Sequence, residues 1–181
     1  MKTRRVQQQG STDGLCGIYS LLNFFQKQKY FDDPDFTDGP SVTAFWYLVE
    51  AMGAEGLLSP YYLVYGLESQ QIRAIANKIC TDHGLAFQAV ALKSVLEHLG
   101  LKHFIDLAPT LFEKRNTAAV VGEDGKSHWV LIDDWKGGYL QVRDSSNVER
   151  LQVGRSAALN ITHDGVVILP KHLVSEFTGG A

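Results

Sequence analysis

Cysteine is scarce: only two occur in the 181 residues, Cys16 and Cys80. Two thiols cannot build a stapled framework, and a chain of this length does not need one. A reducing compartment is therefore the expected setting, with both thiols left for chemistry or packing. No apolar run approaches the ~20 residues that cross a bilayer, so membrane insertion is not expected. Neither sign of charge dominates. Seventeen Lys and Arg against twenty Asp and Glu give −3, whereas nucleic acid or an anionic membrane would reward a basic face. The opening residues Met1 to Gln9 are basic but carry no apolar stretch of the secretory kind. The expected location is the cytoplasm, or the exterior by a route without a cleaved N-terminal signal. There is no internal repeat, and the only biased tract is Gln7-Gln8-Gln9. With 45% hydrophobic and 20% charged residues, the remaining class is a folded, water-soluble globule of one domain spanning 1–181.

Two textures divide this chain. The periodicity is mostly helical over about 14–100 and mostly that of strands over about 117–170. A first helix opens at Gly14 or Leu15 and runs to about 28, with Leu15, Ile18, Tyr19 and Leu22 at helical spacing. Ser11, Thr12 and Asp13 are its candidate N-caps. The segment 31–40 reads as a loop. A second helix covers 43–52, a third begins at Ser69 and stops at Gly84, and a fourth carries Leu92, Val95, Leu96 and Leu99 up to Gly100. Later come a hairpin, 118–122 with 128–133 around Glu123-Asp124-Gly125-Lys126, a further strand over 139–143 and another over 166–169. Helices followed by antiparallel strands make an α+β pattern.

The residues that carry chemistry are Cys16, His128 and Asp144. Cys16 stands at the predicted start of an amphipathic helix, where unpaired N–H groups and positive potential favour the anionic form of a thiol. Its glycine neighbours, Gly14 and Gly17, are expected to let a substrate backbone come close. Acyl transfer also needs a proton donor for the leaving group, and imidazole titrates near neutrality. His128 has the best context of the six histidines, at the mouth of the strand Trp129-Val130-Leu131-Ile132. Asp144 follows the next strand, and antiparallel pairing of the two strands would set it beside His128 as the group that orients the ring. An upstream amide is needed to complete an oxyanion hole with the Cys16 N–H.

Three pieces together resemble the papain-like cysteine hydrolases: Gly14-Leu15-Cys16-Gly17-Ile18-Tyr19-Ser20-Leu21-Leu22-Asn23, Ser127-His128-Trp129-Val130-Leu131-Ile132 and Tyr139-Leu140-Gln141-Val142-Arg143-Asp144. Within that group the look is nearest to the double-glycine (bacteriocin-processing) peptidases and related bacterial effector proteases and deamidases. The stretch of about 30–115 has no counterpart in the resemblance. It implies N-terminal helices, with the nucleophile at a helix N-terminus, packed on a C-terminal antiparallel sheet. It also implies Cys16 as nucleophile, His128 as general base and acid, Asp144 as orienter, a peptide or protein substrate, and neither cofactor nor metal. In these families the oxyanion glutamine lies about five or six residues before the cysteine. Here those positions are Ser11 and Gly10, so the role passes to Gln9, or to Gln8 one residue further back.

Other residues have plainer readings. Cys80, beside Ile79 on a helix, is a core or surface thiol, and its spacing to His83 lacks the second pair that a zinc site requires. His98, His103, His163 and His172 show no partner pattern and read as surface groups. Phe45-Trp46-Tyr47 and Tyr61-Tyr62 with Tyr65 read as core; were they exposed, they would line a groove for an extended peptide. Asp32, Asp33, Asp35 and Asp38 lack the glycine and closing glutamate of a calcium loop. Asn147 is a spare orienter, and Asp133 and Asp134 are poorer ones. The expected activity is hydrolysis of an amide bond, peptide cleavage ahead of glutamine deamidation. The rivals are a transglutaminase-like acyl transferase and an inactive papain-like domain that binds a protein.

Overall fold

In the computed structural model the described residues are 15–28, 42–114, 117–122, 128–136, 139–143, 152–154 and 165–180. The loop expected over 31–40, His163 and Asn147 lie outside them, as do Gln8, Gln9 and Asp144. The helix α1 (Cys16–Lys27) opens the described chain, followed by α2 (Val42–Ala54), α3 (Pro60–Tyr65) and α4 (Ser69–Asp82). Strand β1 (Phe87–Ala91) leads into α5 (Leu92–Leu99), α6 (Leu101–Ala108) and a π-helical turn over Pro109–Lys114. Next come β2 (Ala118–Gly122), β3 (Trp129–Lys136), β4 (Tyr139–Arg143), β5 (Gln152–Gly154), β6 (Gly165–Pro170), a 3-10 turn and α7 (Val174–Thr178).

The six strands form one sheet in the order β1-β6-β2-β3-β4-β5, antiparallel at every described pairing. Strand alternation sorts its side chains between two apolar layers. Val120, Leu131, Val166 and Ile168 pack with Ile18 and Leu21 of α1, Leu48 and Met52 of α2, and Ile72, Ile75 and Ile79 of α4. Their neighbours Val121, Val130, Ile132, Val167 and Leu169 face the other way, against Val95 and Leu96 of α5, Phe104 of α6 and Phe177 of α7. Burial on both faces is why these strands read as near-continuous apolar runs.

The expected helices at 15–28, 43–52, 69–84 and 92–99 appear as α1, α2, α4 and α5. The division into a helical and a strand half needs one correction. β1 lies inside the stretch that reads as helical, and it is held to the sheet by β6, with Phe87 opposite Pro170. Its outer edge is closed by a side chain: Asn77 on α4 donates to the Ala89 carbonyl at 2.9 Å and accepts the Ala89 N–H at 2.8 Å. An amide standing in for a strand in this way blocks further pairing at a sheet edge. The aromatic residues also divide differently. Phe45, Tyr47 and Tyr62 are half-buried against the core, while Trp46, Tyr61 and Tyr65 are exposed.

Candidate active site

The nucleophile candidate sits where the helical spacing places it. α1 begins at Cys16 with Leu15 as its N-cap, which makes no capping side-chain bond, and the expected caps at Ser11, Thr12 and Asp13 lie outside the described residues. Nor is α1 a helix with one apolar stripe. Ser20, Asn23 and Phe24 are buried with Ile18, Leu21, Leu22 and Phe25, because the helix runs between the sheet on one side and α2 and α4 on the other. Cys16 itself is 2% exposed.

One strand residue ties the helix to the sheet. The backbone N–H of Trp129 donates to Cys16 Sγ at 3.3 Å, and Ser20 Oγ donates to the Trp129 carbonyl at the same distance. Cys16 and Ser20 are one helical turn apart, so a single face of α1 meets both backbone groups of one residue on β3. The indole closes the clamp by donating its Nε1–H to the Leu67 carbonyl at 2.7 Å. Residue type alone could not reveal Trp129 in this role.

His128 is the residue immediately before Trp129, half-buried at the entrance to β3. One peptide bond therefore separates it from the group that touches Cys16 Sγ. β3 and β4 run antiparallel, with Arg143 opposite Leu131, so the end of β4 lies beside the early part of β3. Asp144, one residue beyond Arg143, lies outside the described residues, as does Gln9. Asp133 and Asp134 are too far along β3 to orient His128: five residues of strand cover about 16 Å. Asp133 is instead buried against α1, with its Oδ2 3.6 Å from Lys27 Nζ.

Gly17 does not serve as an opening for substrate. A Cβ at this position would stand 2.7 Å from Ile72 Cδ1, 3.0 Å from Ile72 Cγ1 and 3.6 Å from Trp129 Cδ1. Glycine lets Ile72 of α4 close on α1, and Trp129 lies at ordinary contact distance beside it. Because Ile72 is itself fully buried, Gly17→Ala is expected to cost about 1–3 kcal/mol through overpacking, read as a lower urea midpoint with unchanged slope.

The second thiol is a core residue. Cys80 is 1% exposed, and burial pushes it up from the ordinary 9.0 to about 11, with Lys171 acting in the opposite direction. A raised value in the folded state means that the thiol supports folding fully below pH 9.0 and loses that support as pH rises toward about 11. The expected result is a steeper alkaline loss of stability in the native chain than in Cys80→Ala, measured by urea unfolding across that interval. His98, His103 and His172 are exposed, as their sequence context implies. Among the described residues no group of three or more His, Cys, Asp or Glu is arranged to hold a metal ion, and no helix is long and apolar enough to cross a membrane.

No protein-family model and no curated protein sequence matches this chain. Among solved structures, a double glycine motif protease from an AMS/PCAT transporter, in complex with the leader peptide, superposes with a TM-score of 0.50 at 13% identity. The match covers 93% of this chain and 92% of that one. Likeness over nearly the whole of both chains at so low an identity bears on architecture alone: helices around an antiparallel sheet, in a distant version of the papain-like fold.

Proposed function

We propose that this protein is a cysteine hydrolase that opens an amide bond in a peptide or protein through a thioester, with peptide cleavage as its first activity. The observation that carries the reading is the Trp129 N–H on Cys16 Sγ, which sets the thiol one residue from His128 across 113 positions of sequence. Covalent amide hydrolysis needs a nucleophile and a base drawn from distant segments, and this contact joins the two segments that carry the candidates. The protease fold of the structural neighbour, and the leader peptide bound to it, support a peptide substrate.

The steps follow from the residues. His128 takes the Cys16 proton, and Sγ bonds to the carbonyl carbon. The oxyanion draws on the Cys16 backbone N–H at the α1 terminus and on Gln9. As the C–N bond breaks, His128 delivers its proton to the leaving amine and a thioester remains. Water, deprotonated by His128, then attacks the thioester; acid leaves, and Cys16 regains its proton. Asp144 orients the imidazole and balances its charge in both halves. If the amine expelled is ammonia from a glutamine side chain, the same steps give deamidation.

Mass spectrometry of candidate peptides and proteins after incubation with the chain tests the proposal. A break in the backbone supports the peptidase, and a gain of about one mass unit at glutamine supports the deamidase. Both must vanish with Cys16→Ala. Absence of either change, together with equal and slow alkylation of Cys16 and Cys80 by iodoacetamide at about pH 6, overturns the hydrolase and leaves a protein-binding domain.

A further inference from the structure

Ser20 is a hydroxyl in the interior, 1% exposed on α1, with Cys16 one turn before it and Phe24 one turn after. Alanine would fill nearly the same space with no polar atom to satisfy, so packing alone gives no reason for the oxygen. A helical serine can turn its proton back to the carbonyl four residues earlier. This one sends it out of the helix, to the Trp129 carbonyl at 3.3 Å across 109 positions of sequence.

That carbonyl belongs to the first residue of β3. Trp129 is paired with Gly122 of β2, and the described pairing with β4 begins only at Leu131. α1 supplies two further ties to its backbone: Cys16 Sγ accepts the N–H, and Ser20 donates to the C=O. His128 precedes the strand and shares a peptide bond with that N–H. Whatever holds Trp129 on α1 therefore sets how far His128 stands from Cys16. The two ties are not equivalent during acyl transfer. Sγ is the reacting atom, and a sulfur bonded to an acyl group is a weak acceptor, so its hold on the Trp129 N–H fades in the thioester. Ser20 forms no bond to substrate in the proposed steps. Its grip on β3 lasts into the stage at which His128 must take a proton from water.

We infer that Ser20 is a positioning residue, acting through Trp129 to keep His128 over the acyl group while the thioester is hydrolysed. This rests on the hydrolase reading and assigns its second half a further residue. The indole stays bonded to the Leu67 carbonyl at 2.7 Å, so loss of the hydroxyl shifts the start of β3 rather than releasing it.

p-Nitrophenyl acetate tests this on the full chain. Sγ bonds to the acetyl carbon and p-nitrophenolate leaves with the electron pair, the thiol proton passing through His128 to solvent. Water then attacks, His128 takes its proton, acetic acid leaves and the proton returns to Sγ. The mass of the Cys16 peptide follows the acetyl group. His128→Ala is expected to clear it about 100-fold more slowly than the native chain, and Ser20→Ala about tenfold more slowly. The iodoacetamide rate at about pH 6 should change less than about threefold in Ser20→Ala, because the resting thiol keeps the Trp129 N–H. Ser20→Thr, which retains the hydroxyl, should clear the acetyl group at the native rate. If Ser20→Ala does not fold, Ser20→Cys, close in shape and a weaker donor, replaces it in the same comparison. A native thioester lifetime without the hydroxyl, a Ser20→Thr chain as slow as Ser20→Ala, or alkylation and clearance slowed by the same factor overturns the proposal alone. A native chain that forms no acetyl-Cys16, or never clears it, removes the hydrolase reading and this inference with it.

Discussion

Alanine at Cys16 or at His128 is expected to lower amide hydrolysis by about 10⁴-fold or more, and the double substitution to cost little beyond either alone. Groups that act as one unit lose their function together, so their effects do not multiply. The two single variants differ in what else they change. Cys16→Ala removes the alkylation target, whereas His128→Ala leaves it in place with the Trp129 N–H still aimed at it. Iodoacetamide at about pH 6 should therefore label Cys16 in the native chain well ahead of Cys80 and label it at least about tenfold more slowly in His128→Ala. A His128→Ala chain that hydrolyses substrate and reacts with iodoacetamide as the native chain does would remove His128 from the chemistry.

Lys27→Met is expected to destabilise the fold by about 3 kcal/mol without any contact with the site. Polar contacts join α1 to β3 near both ends of the helix: Cys16 and Ser20 on the Trp129 backbone at one, and Lys27 on Asp133 at the other. Lys27 Nζ both lies 3.6 Å from Asp133 Oδ2 and donates to the Asp133 backbone carbonyl. Asp133 is 1% exposed and Lys27 28%, so the substitution takes the cation from a carboxylate that is shielded from water. Asp133→Asn in the same chain should recover most of the loss, because the remaining group is neutral. Urea unfolding of the two single variants and the double gives the coupling. A loss below about 0.5 kcal/mol for Lys27→Met, the size expected of a surface pair, would show that the contact does not hold the helix in register.

Much of this was legible in advance. α1, α4 and α5 announce themselves by apolar residues three and four apart, and the β2–β3–β4 meander by short apolar runs punctuated by Gly125 and Gly137-Gly138. Cys16 at the opening of a helix and His128 at the opening of a strand belong to the same order of information. β1 was not legible: Phe87 to Ala91 is five residues long, and what holds it is β6, some 80 residues on, together with the Asn77 amide. α3 misleads in the opposite direction, since Pro-Tyr-Tyr-Leu-Val-Tyr has a core composition and an exposed location. Gly17 misleads too: a glycine beside a nucleophile reads as room for substrate, yet Ile72 and Trp129 occupy that room.

Local order along the chain was enough to set the α+β class, the helix that carries Cys16 and the strand that His128 precedes, because periodicity and turn chemistry act over a few residues. Which groups touch was decided by closure of the fold. Trp129 could become the clamp on Cys16 and Asp133 the partner of Lys27 only once α1 had been enclosed between the sheet and two helices. Contacts between residues about a hundred positions apart depend on how the layers stack, and no window of sequence contains both sides of them.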